Sequence, residues 1–185
     1  MENIVQKSLH KLMHELQSAA ATQPQLMTTE FDPDLSSPCY TSTVEAGQPC
    51  QWQPVLMSVE QSFANIENAL DITLNEQFCK FFTTYWSFNL QVCAEQGDCE
   101  LLQVCSEDDF ARLQENLIGH LLMKQRLKQP LTLFFGLTDE EDFILSVDNA
   151  SGEVVLEQVG KIPQRCLAPD LASFLDGLTP PLVIC

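Results

Sequence analysis

Positive charge is what this chain has least of. Nine Lys and Arg stand against 26 Asp and Glu in 185 residues, a formal net charge of −17. Between Leu12 and Ala111 Lys80 is the one basic residue among fifteen acids, which leaves that stretch at −14. A surface of this kind repels nucleic acid phosphates and anionic lipid, which argues against nucleic acid as a partner and against direct lipid insertion. It attracts Lys/Arg-rich protein segments instead. Long apolar runs are missing too. The longest uncharged apolar block, Leu131 to Leu137, is far shorter than the roughly 18 residues a membrane-spanning helix needs. The first residues, Met-Glu-Asn and an amphipathic helical pattern, lack the apolar core of a signal peptide, so the expected location is cytoplasmic.

No two cysteines form a C-x-x-C pair, although there are eight, at 39, 50, 79, 93, 99, 105, 166 and 185. In a reducing cytosol they are expected as buried small hydrophobes and not as bridges or metal ligands. The spacing of Cys93 and Cys99 allows them to face each other across a hairpin. Cys185 is the last residue and so cannot be a prenylation box. G-x-S-x-G, P-loop and dinucleotide fingerprints are also missing, and no carboxylate pair stands out by spacing. The expectation is a protein that is not an enzyme and needs no cofactor or metal.

Hydrophobic residues make up 45% of the chain and are periodic, which is the composition of a folded domain. One domain over 1–185 is expected, with an N-terminal helix over 1–20, a Pro-rich irregular segment over 22–57 and an α+β core over 58–178. Val5, Leu9, Leu12, Met13 and Leu16 form the helical stripe of the first. The second carries five prolines and no Lys or Arg, with Trp52 and Leu56 as its anchors. Ser58 to Gln61 reads as a capping box opening a helix on Val59, Phe63, Ile66 and Leu70. Another helix follows Asn75, with Phe78, Phe81, Phe82 and Tyr85 on one side. Ser87–Cys93 and Cys99–Cys105 alternate as strands around Gln96-Gly97-Asp98. Ser106 caps the longest helix, about 107–128, acidic in its first turn and basic in its last at Lys124, Arg126 and Lys128. Strands are expected at Leu131–Leu137, Phe143–Val147 and Glu153–Gln158, and a short helix over Pro169–Leu178. The fold class is α+β: a mostly antiparallel central sheet, a long inserted helix and packed N-terminal helices.

Each chemical candidate has a plain structural reading. His10 and His14 are four apart, but Lys11 stands where a zinc protease needs Glu, so they read as exposed helix histidines. His120 reads as a hydrogen-bonded, half-buried side chain. Asp148 to Glu153 departs from a calcium loop in its glycine position and reads as a turn. Asp139-Glu140-Glu141-Asp142 reads as a solvated loop. Gly119 inside the long helix costs roughly 1 kcal/mol against Ala and predicts close approach of another element. Glu107, Asp108 and Asp109 exceed what one helix cap requires, which makes them candidates for binding.

The stretch SEDDFARLQENLIGHLLMKQRLKQPLTLF, Ser106 to Phe134, resembles the bacterial Syd family of SecY-interacting proteins. Ser37-Pro38-Cys39, Trp52-Gln53-Pro54, Phe82-Thr83-Thr84 and Ser151-Gly152-Glu153-Val154 extend the resemblance over about 37 to 177. It implies an α/β sandwich-like domain related to the SUKH superfamily. It also implies a peripheral protein on the cytoplasmic side of the inner membrane that binds the translocon subunit SecY. There it would check translocon integrity without catalysis, receiving the Lys/Arg-rich cytoplasmic loops of SecY on an acidic concave surface. Glu107, Asp108, Asp109 and Glu115 are the acids that fall in the family motif. The alternative is an acidic immunity-type inhibitor of a toxin or nuclease.

Overall fold

The structure, a computed structural model, describes residues 3–59 and 61–181. The expectations that rest on Glu2, Glu60 and Cys185 lie outside the described residues. Helix α1 (Ile4–Ala20) starts on a capping box, Asn3 accepting from Val5 while the Gln6 side chain accepts from the Asn3 N–H. Its stripe of Val5, Leu9, Leu12, Met13 and Leu16 is buried as its spacing predicts. The Pro-rich segment is less irregular than expected. A 3-10 turn over Pro24–Met27 leads into β1 (Thr28–Glu30), which pairs with β2 (Pro49–Gln51), and β3 (Val55–Leu56) pairs with β4 (Tyr85–Trp86). Trp52 is buried with Met27, Cys39 and Cys50, but Leu56 is 59% exposed and anchors nothing.

The helix expected at Ser58 starts later, as α2 (Ala64–Leu70). Ser58 and Val59 form an exposed bend, and Ser62 Oγ accepts from the Ala64 N–H. Helical turns persist where an apolar face is covered. Phe63 and Ile66 are covered, whereas Val59 is 68% exposed. Helix α3 (Glu76–Phe82) is capped by Asn75 and buries Phe78, Phe81 and Phe82 edge-on against one another. Burial of each such ring is worth about 1.5–3 kcal/mol.

The hairpin β5 (Leu90–Ala94) and β6 (Gly97–Leu101) turns at Glu95 and Gln96, earlier than the sequence pattern indicates. Its register pairs Val92 with Cys99 and Cys93 with Asp98. The two cysteines therefore point to opposite faces. Cys93 Sγ instead donates to Asp98 Oδ1 at 2.8 Å, and burial pushes the Cys99 thiol up to about 12. Helix α4 (Glu107–Arg126) returns the chain to β7 (Thr132–Thr138), β8 (Phe143–Asp148), β9 (Val154–Gln158) and β10 (Arg165–Ala168), and α5 (Leu171–Asp176) follows. The main sheet is antiparallel in the order β10-β9-β8-β7-β6-β5. Phe135 on β7 touches Phe81 and Phe174, so α3 and α5, with α1 packed on both, cover one face. Phe134 touches His120, so α4 covers the other. The fold is α+β, as expected, with helices on both faces of the sheet.

A buried polar network holds α4 down. Lys124 belongs to the last turn of α4, yet it is fully buried and not at the surface that its place in a basic turn predicts. Its Nζ donates to Glu157 Oε2 at 2.5 Å and to the Lys161 carbonyl at 2.8 Å. Glu157, also fully buried, accepts from Thr132 and Ser146 as well. Since Thr132 gives its proton to Glu157, it accepts from His120 Nε2, 2.9 Å away. Lys124 has two acceptors and Glu157 three donors, and such added hydrogen bonds are what let a buried ion pair be tolerated. His120 is more buried than expected, and desolvation holds its pKa below the usual value of 6.5, reinforced by the Lys124 charge and opposed by Glu157.

A groove beside the long helix

Helix α4 leaves the β5–β6 side of its sheet face uncovered. Gln91, Glu100 and Leu137 are partners across β5, β6 and β7 and share that face. The result is a groove of about 570 Å³. Its floor is Gln91, Glu100, Leu102 and Phe134, one wall is Asp109, Arg112, Leu113 and Asn116 of α4, and the other is Leu26, Thr28 and Trp52. Asn89 Nδ2 donates to Glu100 Oε1 at 2.6 Å, which fixes that carboxylate over the floor. Gln103 is 6% exposed, and its Oε1 has no hydrogen-bond partner among the described residues.

The four motif acids are not brought to one place. Asp109 lines the groove but is committed to the fold. Its Oδ2 accepts from the Cys105 N–H at 3.1 Å and lies 3.5 Å from Cys105 Sγ. Arg112 stands 4.0 Å from its Oδ1. Ser106 accepts from the Asp109 N–H, so the helix is capped as expected, with the reciprocal bond made one residue upstream of the cap. Burial, reinforced by the Asp109 charge, pushes the Cys105 thiol up to about 12, which keeps it protonated. Glu107 and Asp108 are exposed beside a neighbouring cleft of about 300 Å³ with Ser36, Pro38, Trp86 and Ser106. Glu115 is exposed two turns along, on the stripe of Asp108 and Arg112, and lines neither concavity. Glu100, which no motif singles out, is the acid that sequence reasoning missed. Its signal was the alternation of β6, which puts it on the open face.

Other acids gather elsewhere. Asp98, Asp139 and Glu140 rim a smaller cavity of about 140 Å³ with Arg165 on its edge and Cys99, Leu145 and Phe174 inside. Residues 139–142 are exposed, as a solvated loop should be. Asp148 Oδ1 accepts from the Ala150 and Ser151 N–H groups, a plain turn. His10 is half-buried and not exposed. Its Nδ1 lies 2.6 Å from the Tyr85 hydroxyl, while His14 is exposed. Among the described residues no three His, Cys, Asp or Glu are placed to hold a metal ion.

The family model described as Syd protein (SUKH-2) matches residues 6–180, nearly the whole chain. The chain belongs to the Syd family. It is 57% identical over 150 residues to Protein Syd of Alteromonas mediterranea, covering 81% of this chain and 83% of that one. Protein Syd of Pseudoalteromonas atlantica is 42% identical over 182 residues, 97% of this chain and 98% of its own. That of Colwellia psychrerythraea is 45% identical over 163 residues, 83% and 81% of the two chains. The match to this Syd-family chain therefore includes the groove, the cleft and both walls. No helix among its described residues is long and apolar enough to cross a membrane.

Proposed function

We infer that this Syd-family chain is a regulatory binding protein, not an enzyme, whose partner is the translocon subunit SecY, met through its Lys/Arg-rich cytoplasmic loops. The observation that carries the reading is the pair Glu107 and Asp108, exposed on the first turn of α4 between the cleft and the acidic groove. Helix dipole and carboxylates oppose each other's charge there, but the two exposed acids together with Glu100 and Asp109 outweigh Arg112 and leave the region negative. A basic loop would lay its aliphatic stems along Leu102, Leu113 and Phe134 and its cationic ends toward Glu100, Glu107 and Asp108. Cytoplasmic loops of membrane proteins are rich in Lys and Arg, and a receptor of that charge would hold the protein at the cytoplasmic face of the inner membrane. Checking the integrity of the translocon is the role such docking serves.

The test is retention of SecY from solubilised membranes at low and at high salt. Retention falls steeply with salt, because exposed ion pairs are screened beyond about 8 Å at physiological ionic strength. Reversing Glu107 and Asp108 to Lys weakens retention more than reversing Asp139 and Glu140. Equal losses would mean diffuse attraction and no defined site. Retention indifferent to salt would rule out the electrostatic mechanism.

A further inference from the structure

Four of the nine Lys and Arg of this acidic chain, Lys124, Arg126, Lys128 and Lys161, gather at one corner, with Lys124 buried. Helix α4 begins on Glu107, Asp108 and Asp109 and ends at Arg126, followed by Leu127 and Lys128. At 1.5 Å per residue its 20 residues set these poles about 30 Å apart. The loop between β9 and β10 is fastened to the basic end. Lys124 Nζ donates to the Lys161 carbonyl at 2.8 Å, and Gln129 Nε2 to the Gly160 carbonyl at 3.0 Å. Lys161 thereby joins Arg126 and Lys128. All three are exposed, and among the described residues none has a carboxylate within ion-pair distance. Between them stand Leu127, Val159 and Ile162, 48%, 53% and 62% exposed. Of the nearby acids, Glu157 is buried against Lys124, while Asp142, whose carbonyl accepts from the Val159 N–H, ends the exposed acidic run 139–142 that borders the corner.

Exposed aliphatic side chains set among unpaired cations match the chemistry of an anionic bilayer surface. The cations meet headgroup phosphates, and the aliphatic tips reach the acyl boundary. The groove, the cleft and the smaller cavity do not include these residues. The bordering acids 139–142 limit the contact to a weak one, whereas the acids that open α4 are remote. A Debye length of about 8 Å at physiological salt screens the acidic pole from a corner some 30 Å away.

We propose that the corner made by Arg126, Leu127 and Lys128 with the 159–162 loop is a weak contact site for anionic lipid headgroups. This goes beyond the SecY reading and does not rest on it, because lipid alone is the ligand. Stable attachment of a peripheral protein takes two signals, and this corner supplies one that a protein receptor does not.

Flotation with phosphatidylcholine vesicles containing increasing phosphatidylglycerol tests it on the full chain. The wild type floats with phosphatidylglycerol vesicles at low salt and not with phosphatidylcholine alone. The triple variant R126E/K128E/K161E lowers the bound fraction at least about tenfold, since each cation near such a surface contributes severalfold. E107K/D108K does not lower it. In an Ile162→Trp variant, tryptophan emission moves to the blue on phosphatidylglycerol vesicles only. Flotation unaffected by the triple reversal, equal binding to both vesicle types, or no blue shift at position 162 would overturn the proposal. So would retention of the wild type by immobilised polyglutamate but not by anionic vesicles, which would make the ligand an acidic protein.

Discussion

Glu157 accepts from Thr132, Ser146 and Lys124 in a site with no solvent access. Removing its charge strands the Lys124 ammonium, so Glu157→Gln costs about 3 kcal/mol or more in urea unfolding. The double change to Lys124→Met and Glu157→Leu recovers part of that loss, because neither charge is then buried alone. The same network gives a pH dependence with a definite sign. His120 is held below its usual 6.5 in the folded state. The unfolded chain therefore binds more protons just under that value, and stability present above 6.5 is lost as pH falls through the lowered pKa. His120→Gln flattens the slope just below pH 6.5 in chemical unfolding. Asp108 and Asp109 are adjacent yet do different work. Asp109→Ala removes the acceptor of the Cys105 N–H and costs about 1–2 kcal/mol. Asp108→Ala changes stability by less than about 1 kcal/mol and, on the proposed SecY contact, lowers retention.

Two glycines separate the demands of helix and strand. Gly119 was expected to mark a close approach, but a Cβ there would meet nothing within 4 Å, and the residue is exposed on α4. Gly119→Ala therefore stabilises by up to about 1 kcal/mol, read as a raised urea midpoint. A fall in the midpoint would show that this surface is constrained in a way the open space does not reveal. Gly136 is the opposite case. It sits at the irregularity of β7, where a Cβ would lie 3.0 Å from Leu145 Cδ1 and 3.1 Å from the Glu100 carbonyl. Gly136→Ala forces the backbone of β6 away and lowers stability by about 1–3 kcal/mol. Because β6 carries Glu100, the same change moves the groove floor, so SecY retention falls with it if the groove is the docking surface.

Net charge acts on the whole molecule. At −17 the folded chain repels itself. Monovalent salt relieves that repulsion and raises the melting temperature, while it lowers retention of SecY. The opposite signs separate a stability effect from a binding effect in one salt titration. Both effects in the same direction would mean that the loss of binding reflects unfolding.

Periodicity and composition determined much of this protein. The stripe of α1, the span of α4, its Ser106 cap and the strands β7, β8 and β9 were all legible, because each rests on contacts within a few residues, whereas β10 was not expected. Charge scarcity is likewise a property of the chain and not of its folding, and the proposal of a basic protein partner starts from it. What only the tertiary structure decided are the pairings across the chain. Lys124 and Glu157 are 33 residues apart, and nothing local marks either as buried. Cys93 and Cys99 fall on opposite faces because the hairpin register, set by the turn at Glu95 and Gln96, differs from the one their spacing allows. Leu56 and Val59 are apolar, yet among the described residues no element packs over them. Most of all, the sequence could count the acids but not sort them. Folding spends Asp109 on the Cys105 N–H, lifts Glu100 onto the groove floor, and leaves Glu107, Asp108 and Glu115 in solvent, since which side chain faces outward depends on what the rest of the chain covers.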